Sequence, residues 1–290
     1  MPSNQAYTPA ILWVLLSTFL WTLIFAAGKF ADGSMGVFQI TLLRYIGGMA
    51  ALLILLSYQG GLRAHRSRQP WVHLARALSG CGAAVAITWA SANMPLIDAT
   101  AIGLSYGVLA LLLGAVVLKE VVTPRHWGAV GVILTGVAIV LVHKGAFQAG
   151  FAFWPALAAF LAAFLFAVEG VLISMLGRAD RALTVMVYVT FFGFCLMLVP
   201  ALVEWRWASP GAFVFALALG PLGLLGQYCT IRGYRSAPLS VVAPVDYAWL
   251  PFSAVLGLVV FNEIPDAINW LGCAVIVAGG VALSRVNNTR

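Results

Sequence analysis

The sequence predicts an all-α polytopic membrane protein, with ten transmembrane helices as two inverted five-helix repeats around a central cavity. Composition is the first of three observations behind this. The 290 residues are 62% hydrophobic and only 9% charged, against roughly 25% charged in a soluble domain. So few charges do not cover a water-facing surface, which excludes a soluble enzyme, a nucleic-acid-binding domain and a disordered chain. The apolar runs reach the roughly 20 residues that a bilayer-crossing helix needs, without the alternation of barrel strands. The third observation is self-similarity at a fixed offset, set out below.

Taken in order, the spans lie near 10–30, 37–57, 72–92, 96–118 and 127–143, then 151–176, 183–203, 211–231, 239–261 and 267–284. Span one follows no Lys or Arg (the first basic residue is Lys29), unlike a cleavable signal with its basic leader, so it is expected to be retained. Spans three and four are divided at Asn93-Met94-Pro95, because Pro starts helices well and interrupts them badly. The longest connection, Tyr58 to Trp71, is too short for a separate soluble domain.

Charge orients the bundle. With the N-terminus inside, the inner connections hold eleven of the 16 basic residues and the outer ones hold Lys29, Lys144 and Arg206. Cytoplasmic loops carry the Lys/Arg excess, so both termini are expected in the cytoplasm. The net charge of +7 then reflects contact with anionic lipid and calls for no nucleic-acid partner. Cys81, Cys195, Cys229 and Cys273 all fall within spans without a CxxC spacing, so they read as small apolar fillers. Neither metal nor cofactor is expected.

An offset of 143 residues superposes Pro95-Leu96 on Pro238-Leu239, Gly114 on Gly257, Glu120 on Glu263, Trp127 on Trp270 and Gly136 on Gly279. Earlier in each half, Phe19-Leu20 followed by Phe25-Ala26 echoes Phe160-Leu161 followed by Phe166-Ala167. The halves, 1–145 and 146–290, hold five spans each. An odd number of spans turns the second half upside down, an architecture used for alternating access.

The Pro-Leu, the Gly-rich span, the Glu at its far end and the following Trp resemble the EamA repeat of the drug/metabolite transporter superfamily, in two copies over essentially the whole chain. The layout is similar to bacterial ten-helix exporters of amino acids and metabolites. That resemblance implies a bacterial inner-membrane location and a central cavity lined by spans one to four and six to nine, with spans five and ten peripheral. The chain departs from it at Lys119-Glu120 against Asn262-Glu263 and in the extra prolines of span nine.

Ionisable groups in hydrocarbon cost roughly 2.5–3.5 kcal/mol each and so mark function or pairing. Arg44 is too deep in span two to reach water easily; it predicts an ion pair, with Asp98 in reach, or contact with a substrate carboxylate. Asp98 has a second reading as the cap of span four. Arg76 is expected to snorkel to the inner surface, with the alternative of an inner cluster with Glu169 and Asp246. Glu169, beside Ala167 and Gly170, and Asp246 are the candidate proton-coupling carboxylates. Glu120 and Glu263, at span ends, read as capping or packing residues.

Trp21, Tyr45, Trp89, Tyr106, Tyr228 and Trp249 fall in the cavity spans, with Ser79 and Gln227 as hydrogen-bonding partners. With Arg44 and Asp246 they describe a mixed apolar and polar cavity for a small amphiphilic substrate. Pro244 and Pro251 predict a hinge in span nine.

No GxxxxGK[ST] loop occurs, so ATP does not drive the protein. The reading is a secondary carrier exporting amino acids or related small metabolites. The alternatives are an efflux carrier for cationic drugs, a carrier of another substrate such as a nucleotide sugar, and an integral-membrane enzyme. The last lacks an HExxH motif. Partners are the small-molecule substrate and the lipid bilayer. A full ten-helix duplication builds its own cavity, so a monomer is expected.

Overall fold

The computed structural model describes residues 8–31, 34–58, 65–117, 124–143, 152–236 and 243–284. Within them every regular element is a helix. The order is α1 Thr8–Phe25, α2 Ala27–Phe30, α3 Val37–Ser57, α4 Pro70–Asn93, α5 Leu96–Gly103, α6 Tyr106–Val117, α7 Pro124–His143, α8 Phe153–Ala179, α9 Ala182–Val203 and α10 Pro210–Ser236. A 3-10 turn, Ala243–Ala248, leads into α11 Trp249–Phe261, and α12 Ala267–Ser284 closes the chain. Five stretches, including Thr8–Phe30 through α1 and α2, are long and apolar enough to cross a membrane, and four shorter apolar helices accompany them.

Helices suit this sequence because they satisfy backbone groups within one segment. Hydroxyls are satisfied the same way. Thr18, Thr22, Thr41, Thr100 and Thr230 each donate to the carbonyl four residues back, at 2.8–2.9 Å. A threonine bonded to its own helix is tolerated in an apolar setting.

Three of the expected spans are interrupted. Span one turns at Ala26 between α1 and α2, and span four breaks at Leu104-Ser105 between α5 and α6. At the second break the ladder tightens, with Ser105 N–H donating to the Ile102 carbonyl and Gly107 N–H to Leu104. Span nine enters as the 3-10 turn before becoming α-helical at Trp249. Hydropathy alone does not register a one-turn change of hydrogen-bond pattern. Span nine ends at Asn262, in the left-handed region with φ 53°, while Glu263 N–H closes back on the Gly257 carbonyl at 2.9 Å. The helix stops on this one left-handed residue, at a position where asparagine bears such geometry better than most residues.

Packing pairs the two halves. α4 lies along α8 and α10 along α1; α3 meets α10 and α4 meets α9. α7 lies along α12, α3 along α9, and α5 meets α11. Exchanging each span for the one five further on leaves this set of neighbours unchanged. The α7–α12 contact is reciprocal in detail. A Cβ added at Gly136 would lie 2.7 Å from Ile276, and one added at Gly279 would lie 2.7 Å from Ile133. Small residues permit this approach. The α3–α10 crossing is closer still, since a Cβ at Gly47 would meet the Leu217 carbonyl at 2.0 Å and one at Gly220 the Gly48 nitrogen at 2.1 Å.

The connections are cross-tied as well. Gln39, in the first turn of α3, donates to the Arg206 carbonyl and accepts from the Arg206 N–H. Asp180, at the end of α8, accepts from Ser67 and contacts His73 Nε2 at 2.8 Å.

Candidate functional site

Where α1, the α5–α6 break, α8 and α11 converge, aromatic rings form a continuous cluster. Phe25 contacts Trp21, Phe166 and Trp249 at ring-centroid distances of 5.5, 5.5 and 5.7 Å. Phe166 also meets Tyr106 and Trp249, at 6.5 and 6.3 Å. The missing side chain at Gly103 admits the edge of the Trp249 indole, 3.3 Å from where a Cβ would sit. Trp21 Nε1–H donates to Thr230 Oγ1 at 3.3 Å.

Polar groups border these rings. Tyr106 Oη donates to Asp246 Oδ2 at 2.8 Å, and Thr18 Oγ1 reaches Oδ1 at 3.4 Å. One carboxylate in the 3-10 turn thus ties together spans one, four and nine, all of them interrupted. Among the described residues, Ser105 Oγ, Tyr247 Oη and Trp249 Nε1 are buried without a hydrogen-bond partner. Buried donors of this kind are costly unless a ligand or water completes them.

A second polar group lies between α3, α4 and α8. Arg76 is fully buried, and its Nη2 stands 3.3 Å from Glu169 Oε1. The expectation that Arg76 snorkels is therefore corrected: it turns into the α4–α8 seam, where Gly80 leaves room for a carboxylate partner, and pairs with Glu169 instead. Gly80 makes room for that carboxylate, because a Cβ there would lie 2.8 Å from Oε1. Arg44, also buried, lies over the Tyr45 ring at 4.6 Å. Tyr45 Oη contacts Cys81 Sγ at 3.1 Å, and Gly193 of α9 leaves the space its ring fills.

The expected cluster of Arg76, Glu169 and Asp246 divides accordingly. Arg76 and Glu169 pair, while Asp246 is held by Tyr106 and Thr18. Asp98 does not pair with Arg44 among the described ion pairs; it accepts from Asn269 Nδ2 at 3.1 Å. The first N–H of α5, on Leu96, donates to Glu263 Oε2 at 2.9 Å. Glu263 also holds Lys29 in an ion pair, so one carboxylate joins the ends of spans one, four and nine.

The remaining predicted residues are dispersed. Ser79 spends its hydroxyl on the Ala75 and Arg76 carbonyls of its own helix. Trp89 is 39% exposed. Tyr228 meets Trp13 edge-on and borders a separate hollow of about 340 Å³ with Leu55, His65 and Met186. Gln227 is buried in α10. Pro251 is the third residue of α11, where the leading N–H groups of a helix lack intrahelical acceptors in any case. Pro244 lies in the 3-10 turn. Lys119, Glu120, Pro238 and Leu239 lie outside the described residues. Phe25 and Phe166 were not among the expected site residues, although both belong to the Phe-Leu/Phe-Ala echo between the halves.

Comparison with known proteins follows the same outline. The model of the EamA-like transporter family matches twice, over residues 8–142 and 153–285. A riboflavin transporter of Vibrio cholerae is 26% identical over 92% of this chain and 89% of its own length. An S-adenosylmethionine uptake transporter of Rickettsia prowazekii is 23% identical, covering 94% and 91%. A pseudopaline exporter of Pseudomonas aeruginosa is 28% identical, covering 95% of both chains. A solved crystal structure superposes with a TM-score of 0.71 at 23% identity, covering 97% of this chain and all of the other, which speaks to the fold.

Proposed function

The chain belongs to the EamA-like transporter family, and from that premise we propose that it is an ATP-independent carrier exporting amino acids or related small metabolites by alternating access. That it is a helical multi-pass membrane protein of a small-molecule transporter family follows from the membership and from its named relatives, which are transporters rather than enzymes. The finer statements are our reading.

The observation that carries the reading is the Asp246 junction. A carboxylate within apolar helices, joined to Tyr106 and Thr18, ties the three interrupted spans at one level. Rocking one half against the other changes those two contacts together. The match at 8–142 and again at 153–285, the exchange-invariant neighbours and the reciprocal Gly136–Ile276 and Gly279–Ile133 contacts support two inverted repeats. In this arrangement the Lys29–Glu263 end faces outward, both termini lie in the cytoplasm, and the membrane is the bacterial inner membrane. The repeats complete one another, so the carrier works as a monomer. Glu169 and Asp246 are the sites for a coupling proton, and the entry to span nine, with Pro244 and Pro251 at its start, is the hinge.

A second reading concerns the cargo. The rings of Trp21, Phe25, Tyr106, Phe166 and Trp249, together with relatives named for riboflavin and S-adenosylmethionine transport, favour a cargo bearing a flat heteroaromatic ring. One experiment tests both. Proteoliposomes loaded with a broad amino-acid panel, riboflavin or S-adenosylmethionine are assayed for efflux without ATP. Flux of amino acids is the expected result. Flux confined to the ring compounds moves the assignment to the second reading, and no flux of any overturns both.

A further inference from the structure

We infer that Arg44, Arg76 and Glu169 form the docking point for a carboxylate group of the cargo. The inference rests on the carrier reading and narrows its substrate class.

Arg76 carries it. Its side chain is 0% exposed, and Nε, Nη1 and Nη2 have no hydrogen-bond partner among the described residues. Its ion-pair partner, Glu169 Oε1, stands 3.3 Å from Nη2, beyond the roughly 2.7–2.9 Å of a charge-assisted hydrogen bond. A buried guanidinium is retained where its donors are answered. Here the fold answers none of them fully, and the five N–H groups form a fork that matches a planar carboxylate.

The surroundings fit the same ligand. Arg44 has its guanidinium over the Tyr45 ring, and its Nη1 lies beside Gly223 of α10. The Tyr45 hydroxyl reaches Cys81, next in sequence to the Gly80 that accommodates Glu169. The Glu169 side chain is 16% exposed, so the group reaches open space on that side. Two guanidiniums against one carboxylate leave one net positive charge. A monoanionic carboxylate neutralises it, whereas a phosphate dianion reverses its sign.

Cys81, 1% exposed in this structure, reports on the site when alternating access opens it to water, without a known substrate. A protein carrying Cys195→Ser, Cys229→Ser and Cys273→Ser is reconstituted and treated with an anionic thiol reagent, sulfonatoethyl methanethiosulfonate. Its cationic trimethylammonioethyl counterpart is used in parallel. A positive recess raises local anion concentration by about tenfold or more. The anionic reagent should therefore lead by about that factor over the ratio the two show with a free thiol. Acetate should slow it, while phosphate and choline at equal concentration should not. Arg76→Gln and Arg44→Gln should return the ratio to the free-thiol value, and Arg76→Lys should retain the anionic preference. Monodisperse gel filtration confirms that each variant is folded.

Absence of labelling by either reagent, no anionic preference, or an unchanged ratio in Arg76→Gln overturns the inference. Protection by phosphate equal to that by acetate overturns the carboxylate class. Amino-acid flux in the same vesicles is read separately. Flux without anionic preference removes this site and leaves the carrier reading, while anionic preference without amino-acid flux keeps the site and removes that cargo.

Discussion

Phe25 and Phe166 stand in ring contact, with centroids 5.5 Å apart, and both belong to the Phe-Leu/Phe-Ala echo between the halves. Residues related by a two-fold axis touch one another only close to that axis. In the inverted-repeat reading proposed above, the pair lies close to that axis, where the halves would pivot. An aromatic contact contributes about 0.5–1.5 kcal/mol beyond area burial. Phe25→Ala and Phe166→Ala should each slow flux, and a double-mutant cycle on the unfolding free energy in detergent should return a coupling of that size. Simple additivity would show that the rings only fill space.

Tyr106→Phe removes the hydroxyl that donates to Asp246. A hydrogen bond to a charged group is worth about 1.5–3 kcal/mol, so flux should fall by about tenfold or more. Asp246→Asn keeps an acceptor for Tyr106 but loses the charge. If the junction matters as geometry, Asp246→Asn retains more flux than Tyr106→Phe; if the charge is what couples, the order reverses.

Glu169→Gln should abolish proton-driven accumulation while sparing substrate exchange, because the amide fills the same space without carrying a proton. Accumulation under an imposed pH gradient, set against counterflow at equal pH, separates the two. Unchanged accumulation in the variant removes Glu169 from coupling.

Glu263→Gln weakens two ties at once, the ion pair to Lys29 and the cap on Leu96 N–H. The side chains are 14% and 20% exposed, and the expected loss is about 1–3 kcal/mol, measured by denaturant unfolding in detergent. If this end closes the pathway outward, a cysteine placed at Gly103 should also react faster with an impermeant thiol reagent applied from outside.

Gly220→Val should prevent stable folding, since even a Cβ would lie 2.1 Å from the Gly48 nitrogen. Gly128, with nothing near its Cβ position, is the control, and Gly128→Ala should leave gel-filtration behaviour unchanged.

The ten spans were legible because hydrocarbon imposes one requirement along the whole chain, about twenty apolar residues per crossing. Arg44 and Glu169 stood out for the same reason, as charges where charges are costly. The breaks at Ala26 and Leu104-Ser105 were not legible, since they change hydrogen-bond pattern without changing hydropathy. Ser79 and Trp89 show the limit of assigning residues by span. A span says which helix carries a side chain, while a rotation of the helix decides whether it meets the interior, its own backbone or the surroundings.

Sequence by itself determined the helical membrane class and which charged residues, Arg44 and Glu169 among them, fall within the spans, because these depend on how many groups of each kind the chain carries and how they are spaced. Tertiary structure alone decided the partners: Arg76 with Glu169, Asp246 with Tyr106 and Thr18, Glu263 with both Lys29 and Leu96. Each joins residues far apart in the chain. Such contacts arise from helix rotation and close approach at glycines, and those are settled by packing among all the helices together rather than by any one of them.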